Sequence, residues 1–453
     1  MFEDTIAAVA TPRGKGGIAV IRISGTNARD ILRSVFSNKG ELEHAKMVYG
    51  YFGKDGARTD SGYGVIFYAP VSYTGEDVAE IHCHGSEVGV RELMQAVVAA
   101  GARPAQPGEF TRRAFVNGKM DLSQAEAVCD YISSISESAV RVARGQMEGE
   151  IKKEVLLIQD SLTDLLAEVE AAVEYPEEDI ELEISKNAGP AIESLSKKVK
   201  NLAASYEGGR IIKEGLNVAI VGKPNVGKSS LLNRLLGSDK AIVSSIPGTT
   251  RDALEHTFEL DGIAINIKDT AGIRSTNDVI EDEGVKRSIK ALNESNMVLF
   301  LMDLTTEIEE EDNFVSEQLK GIKDDVVVVW NKLDACESRS ELGENAPYGL
   351  PKQLAISAKS GEGLAELKNI ICAAAKSRID EEGVIITNIR HRHLLEKAAG
   401  YLDDAATQLQ ALMDMDCVTI DLNAAWSALG EITGVTVGEE IIDRIFEKFC
   451  LGK

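Results

Sequence analysis

The chain has 453 residues, a length that at ~100 to 200 residues per domain excludes one small domain and predicts two to four. Its 44% hydrophobic and 27% charged residues, with only 10 prolines, exclude wholesale disorder. Lys and Arg number 49 against 73 Asp and Glu, and the resulting net charge of −24 excludes a general nucleic-acid coat.

Residues 1–118 balance 13 basic against 13 acidic side chains, so the acidic excess lies entirely after Gly118. Glu3 and Asp4 stand where a signal peptide would be basic, and no stretch reaches the ~18 apolar residues of a membrane helix. A cytoplasmic protein without a membrane span is expected. Cys83, Cys129, Cys336, Cys372, Cys417 and Cys450 form no CxxC pair, which predicts free thiols in a reducing compartment. The runs Ile18 to Ile23, Gly64 to Tyr68 and Val78 to Ile81 read as strands, and Val88 to Ala100 as a helix ended by Gly101. His82, Cys83 and His84 alternate along a strand and lack further ligands, so packing is expected of them and not metal binding.

From Leu122 the texture becomes helical: Val155, Ile158, Leu162, Leu165, Val169 and Ala172 recur at spacings of three and four, the apolar stripe of a bundle helix. The acidic run Glu174 to Glu183, broken by Pro176, reads as a solvated loop. Between Glu214 and Arg378, strands (LNVAIVG, LEHTFEL, IAINIKD, MVLFLMD, VVVVWNK, QLAIS) alternate with helices (SSLLNRLL, a segment near Glu283 to Leu292, LAELKNIICAAAK). This is the pattern of a doubly wound α/β domain. Helical periodicity returns over Arg392 to Leu412 and Ala424 to Phe449, so the α/β domain reads as an insertion into a helical one.

Gly222 to Ser229, GKPNVGKS, has the P-loop form GxxxxGK[ST] between an apolar strand and a helix. Backbone N–H groups of such a loop face phosphate oxygens at a helix N-terminus, so Asn225, Val226, Gly227, Lys228, Ser229 and Ser230 are the expected phosphate contacts. Lys228 would bridge the outer phosphates and Ser229 bind Mg²⁺. In the loop Ser244, Ser245, Ile246, Pro247, Gly248, Thr249 and Thr250, a nucleotide-contact candidate as a whole, Thr249 and Thr250 supply a hydroxyl that can complete the Mg²⁺ shell and sense the γ-phosphate. Asp269, Thr270, Ala271 and Gly272 supply a carboxylate at a strand end and a flexible N–H. Asn331, Lys332 and Asp334 form NKLD, where the Asp334 carboxylate can accept from the ring N–H and the exocyclic amine of guanine, donors that adenine lacks. Ser357, Ala358 and Lys359 complete the base loop. Five motifs in order read as a GTPase domain. Ile273 follows DTAG where Ras-like enzymes carry the glutamine that orients water, so another group must do so. Asn225 and Glu281 are candidates, and Arg251 and Arg274 are either finger or surface residues.

Over its whole length the chain resembles the tRNA modification GTPase MnmE (TrmE) family. The resemblance rests on DTIAAVATPRGKGGIAVIRISG, YTGEDVAEIHCHGS, PGEFTRRAFVNGKMDLSQAEAV, the GTPase motifs, and LGEITGVTVGEEIIDRIFEKFCLGK with its terminal CLGK. It implies a multidomain α/β protein: an N-terminal α+β folate-binding and dimerisation domain (1–118), a split helical domain (119–213 and 380–453) and an inserted Ras-like doubly wound P-loop GTPase (214–379). It further implies a 5-formyl-tetrahydrofolate or related one-carbon folate held by Arg22, Glu80, Lys119 and Lys453, and a potassium-activated GTPase working through paired G domains. In that scheme Asn225, Ser244, Ile246 and Thr249 hold K⁺, Ser229 and Thr250 hold Mg²⁺, Glu281 acts through water, and Cys450 lies at the modification site. Lys228, Thr250 and Arg251 complete the expected catalytic set. Ser86 stands where a second glycine is expected. The implied activity is GTP hydrolysis to GDP, coupled to carboxymethylaminomethyl or aminomethyl addition at C5 of wobble uridine in tRNA. The implied partners are a second copy of the chain, tRNA, and the FAD-containing MnmG (GidA) in a heterotetramer or larger complex. The competing expectation is a regulatory GTPase of the ribosome-assembly kind, which shares the five motifs without a folate domain.

Overall fold

The computed structural model describes residues 4–38, 40–53, 58–174, 178–238, 255–269, 292, 295–319, 325–336, 352–379, 383–411, 415–450 and 452. They fall into two units, one built from Met1–Ile132, Gly145–Ser196 and Lys397–Lys453, the other from Ser133–Arg144 and Lys197–Glu396.

The first unit opens with β1 (Ile6–Val9), β2 (Gly16–Ser24), α1 (Ala28–Val35), β3 (Phe36–Ser37), β4 (Val48–Phe52), β5 (Asp60–Phe67), β6 (Val78–Gly85), α2 (Glu87–Ala99) and β7 (Arg103–Pro104). The strands form one sheet in the order β3-β4-β5-β6-β2-β1-β7, antiparallel throughout except where β7 runs parallel to β1. Period-two alternation divides its faces. The register pairs Ala19 and Cys83, Ile21 and Ile81, and Ile23 and Ala79 lie on one side and bury against Ile31 and Leu32 of α1 and Leu93 and Val97 of α2. The other side carries the opposed pair Arg22 and Glu80. Burial also pushes the Cys83 thiol up to about 11, so it is a packing group. The Ser86 hydroxyl accepts from the Gly89 N–H at 3.4 Å and caps α2, which gives the unexpected serine a structural role.

The helices that follow are α3 (Glu109–Val116), α4 (Leu122–Ser133), α5 (Glu137–Met147), α6 (Glu150–Glu174), α7 (Glu178–Ala204) and α8 (Tyr206–Glu214). On α6, Val155, Ile158, Leu162, Leu165 and Val169 are buried as the spacing predicts. The acidic run departs from its sequence reading, because from Glu178 onward it is the first turn of α7. Carboxylates are favoured near the positive end of a helix dipole, so an acidic run is compatible with a helix start.

The second unit continues with β8 (Leu216–Val221), α9 (Lys228–Ser238), β9 (Glu255–Leu260), β10 (Ile263–Asp269), β11 (Met297–Asp303), α10 (Glu310–Leu319), β12 (Val326–Asn331), β13 (Lys352–Ala355) and α11 (Leu364–Lys376). Its sheet runs β13-β12-β11-β8-β10-β9, parallel except for β9. Residues of β8 bury on both faces: Val218 and Ile220 join Leu231, Leu235, Leu367 and Ile371 on the α9 and α11 side, while Ala219 and Val221 join Val315 and Leu319 of α10. Helices covering both faces make this a doubly wound P-loop domain. The helix expected near Glu283 lies outside the described residues, Leu292 excepted.

After α12 (Ile389–Gln410) come α13 (Met415–Thr433) and α14 (Glu439–Phe446). The periodic run from Ala424 to Phe449 is therefore two helices, with Gly434 at φ +91° ending the first. In the first unit α13 lies on α6, where Gln159 Nε2 donates to the Trp426 carbonyl at 3.0 Å, and Phe446 and Phe449 bury with Leu122 and Ala125 of α4.

Candidate functional site

The nucleotide loop leaves β8 at Val221 and enters α9 at Lys228. Parallel strands place such loops at their carboxyl ends, beside the end of β12. Gly227 has φ +102°, and a Cβ there would sit 2.2 Å from Asn331 Nδ2, so only glycine allows the loop to approach β12. Asn225 is left-handed at φ +64°. Lys228 Nζ donates to the carbonyls of Gly222 and Lys223, each at 2.8 Å, and Ser229 and Ser230 stand exposed in the first turn of α9.

Asn331, 3% exposed at the end of β12, joins three motifs. Its Nδ2 donates to the Val226 carbonyl at 2.8 Å, and its Oδ1 accepts from the Ala358 N–H at 2.9 Å. One amide thus ties the phosphate loop to the base loop. Lys332, left-handed at φ +70°, turns its ammonium onto Asp303 at the end of β11. Burial pushes the Asp303 carboxyl up, but hydrogen bonds from Lys332 and Thr305 outweigh it and hold the group below its ordinary range. The Ser357 hydroxyl donates to Asp334 Oδ1 at 2.6 Å and accepts from the Ser360 N–H at 2.9 Å, which fixes the carboxylate's orientation. Lys359 Nζ lies 3.9 Å from Asp334 Oδ2 and is 89% exposed. A carboxylate oriented in this way, and still partly exposed, suits a purine edge bearing two N–H donors.

Asp269 ends β10 beside Ile220 of β8, with its side chain outside the described residues. Ser244, Ser245, Ile246, Pro247, Gly248, Thr249, Thr250 and Arg251, then Thr270, Ala271, Gly272, Arg274 and Glu281, and also Lys453, lie outside them as well.

In the first unit, Arg22 Nε donates to Glu80 Oε1 at 2.9 Å across the β2–β6 pair, and Glu80 Oε2 lies 3.1 Å from His82 Nε2. Burial raises the Glu80 carboxyl, and His82 and Arg22 together bring it below its ordinary value. The Arg22 guanidinium lies 5.4 Å from the Tyr73 ring centroid and 5.9 Å from that of Phe110. Lys119 is exposed and donates to the Pro70 carbonyl at 3.0 Å. Cys450 is exposed, and its carbonyl accepts from the Gly108 N–H at 3.3 Å. Gly452 rests on the end of β1, where a Cβ would be 2.4 Å from the Val9 carbonyl oxygen. His84 pairs with Asp60, and among the described residues no cluster of three or more His, Cys, Asp or Glu side chains forms a metal site. No helix among them is long and apolar enough to cross a membrane.

Sequence reasoning missed Arg113. Its side chain is fully buried, with Nη2 2.7 Å from Asp4 Oδ1 and 3.2 Å from Glu109 Oε1, and Nη1 3.1 Å from Glu76 Oε2. In TRRAFVNGK nothing separates Arg113 from its neighbour Arg112, which is partly exposed and paired with Asp443. The signal was its position four residues after Glu109 on a short helix.

Two family models match the chain: the N-terminus of GTP-binding protein TrmE over residues 5–119, and the MnmE helical domain over residues 122–450. Among curated relatives, the tRNA modification GTPase MnmE of Natranaerobius thermophilus is 41% identical, with both chains covered in full. That of Carboxydothermus hydrogenoformans is 40% identical, again covering 100% of each. Among solved structures, a variant of Aquifex aeolicus Era bound to GDP·AlF4⁻ is 29% identical over 41% of this chain and 66% of its own, at a TM-score of 0.30 too slight to bear on the fold. With one family model covering most of its length and relatives alike from end to end, the chain belongs to the tRNA modification GTPase MnmE family.

Proposed function

We propose that this chain binds and hydrolyses GTP and couples that cycle to addition of a carboxymethylaminomethyl or aminomethyl group at C5 of wobble uridine in tRNA. The observation that carries the GTP part is the Asp334 carboxylate fixed by the Ser357 hydroxyl beside an Asn331 amide that spans Val226 and Ala358. Family membership carries the tRNA part.

Lys228 neutralises the outer phosphates. Ser229 and Thr250 would hold Mg²⁺, which when bound would supply positive charge beside the phosphates. Asn225, Ser244, Ile246 and Thr249 would hold K⁺ in a pair of G domains. Glu281 orients the attacking water in place of the missing glutamine, and Arg251 belongs to the same proposed catalytic set. In the N-terminal region, Arg22 and Glu80 offer a cation and a carboxylate side by side, a donor and acceptor set suited to a folate's carboxylates and pterin N–H groups. Lys119 and Lys453 add cations, and Cys450 belongs to the modification site. The working arrangement is a cytoplasmic homodimer with the FAD-containing MnmG partner, its domains running 1–118, 119–213 with 380–453, and 214–379.

Nucleoside mass spectrometry of tRNA from a strain lacking the gene tests this directly. Loss of the wobble modification is expected; an unchanged profile would leave a regulatory GTPase.

A further inference from the structure

Lys223, the second residue of GKPNVGKS, has no counterpart among the phosphate contacts. Its side chain is 11% exposed, and its ammonium lies 2.6 Å from Asp312 Oδ2 and 2.9 Å from Glu309 Oε2. Asp312, in the first turn of α10, is only 2% exposed, and its Oδ2 also accepts from the Glu309 N–H at 3.0 Å. Burial favours the neutral Lys223 amine, yet the hydrogen bonds and charge of Asp312 and Glu309 raise its pKa, so the pair is ionic. An exposed pair would contribute little, but removing one partner of a buried pair strands the other's charge. The backbone of the same residue has a second task, since the Lys223 carbonyl is one of the two that accept from Lys228 Nζ.

We infer that Lys223 is a positioning residue for the nucleotide site: its ion pair with Asp312 and Glu309 ties the phosphate-binding loop to the N-terminus of α10 and holds the backbone that orients Lys228. Its side chain acts through the loop and touches no nucleotide. Loop position and helix position are then coupled, and a displacement of α10 changes how tightly phosphates are held. The inference rests on the GTP reading above.

The test uses the full chain with Mg²⁺, titrating GTP and GDP and measuring single-turnover hydrolysis. Lys223→Met is expected to weaken both nucleotides about tenfold while the hydrolysis rate at saturation changes much less. Lys223→Arg, which keeps the cation, should restore most of the affinity. Asp312→Asn should match Lys223→Met, and the double variant should be no worse than the worse single one. Lys223→Gln serves where the methionine variant does not fold. Wild-type affinity in any folded variant without the cation, or fully additive losses, overturns the inference. Failure of the wild-type chain to bind GTP would instead remove the functional reading on which it stands.

Discussion

Asp334→Asn isolates the group expected to read guanine. In the native chain one carboxylate oxygen is held by the Ser357 hydroxyl at 2.6 Å. The asparagine carbonyl can take that same hydrogen bond, which turns the new NH₂ toward the base and places a donor against guanine's donors. Two hydrogen bonds to a charged acceptor are worth ~1.5 to 3 kcal/mol each. Asp334 keeps 27% exposure, so solvent competes for it, and we take the low end of that range. The expected loss is about 3 kcal/mol, on the order of a hundredfold in GTP affinity. Xanthine carries a carbonyl where guanine has its amine, so xanthosine triphosphate should gain what GTP loses. Competition titrations of both nucleotides against a fluorescent GTP analogue, on wild type and variant of equal thermal stability, measure the exchange. Unchanged GTP affinity, or equal losses for both nucleotides, would refute the assignment of Asp334 to base recognition.

Gly227→Ala should cost about tenfold or more in affinity for GTP and GDP alike, because the new methyl forces Asn331 off Val226 and Ala358; isothermal titration checks it. Glu281→Ala should leave GTP affinity intact and slow hydrolysis by at least about a hundredfold, so normal turnover would remove Glu281 from the water-positioning role. Arg113→Met should destabilise the first unit by about 3 kcal/mol at neutral pH, read by denaturant titration, since it removes the buried guanidinium shared by Asp4, Glu76 and Glu109. Burial raises the Asp4 and Glu109 carboxyls, but Arg103 and Arg113 pull both below 3.8 and 4.5, so their stabilisation is present above those unfolded values and fades as pH falls through the lower folded ones. The gap between wild type and variant should accordingly shrink in acid; a gap independent of pH would mean that the loss is one of packing.

Much of the nucleotide site was legible because its chemistry is local. A P-loop, an NKLD and an SAK each need a few consecutive residues at a strand end, and the apolar runs that became β8, β11 and β12 mark those ends. What joins them was not legible. Asn331 reads in sequence as one letter of a base-binding motif, whereas its amide bridges residues 226 and 358, a pairing that only the sheet order creates. Lys223 and Arg113 drew no reading of their own, because charge type is visible in a sequence and burial is not. The acidic stretch that opens α7 was read as a loop for a related reason: composition reports charge, but carboxylates are also favoured at a helix start.

Cys450 and Gly452 close against Gly108 and the end of β1, so residues several hundred positions downstream complete the flank of β1. During synthesis the N-terminal sheet can form as soon as β7 emerges, and it waits with that flank bare while everything between is translated. Loop-closure entropy grows only logarithmically with the span, so the wait adds little to the final cost of the contact. Its effect is on timing. Cys450 reaches Gly108 only once the chain beyond α14 has been made, so the surroundings of its exposed side chain form late in folding.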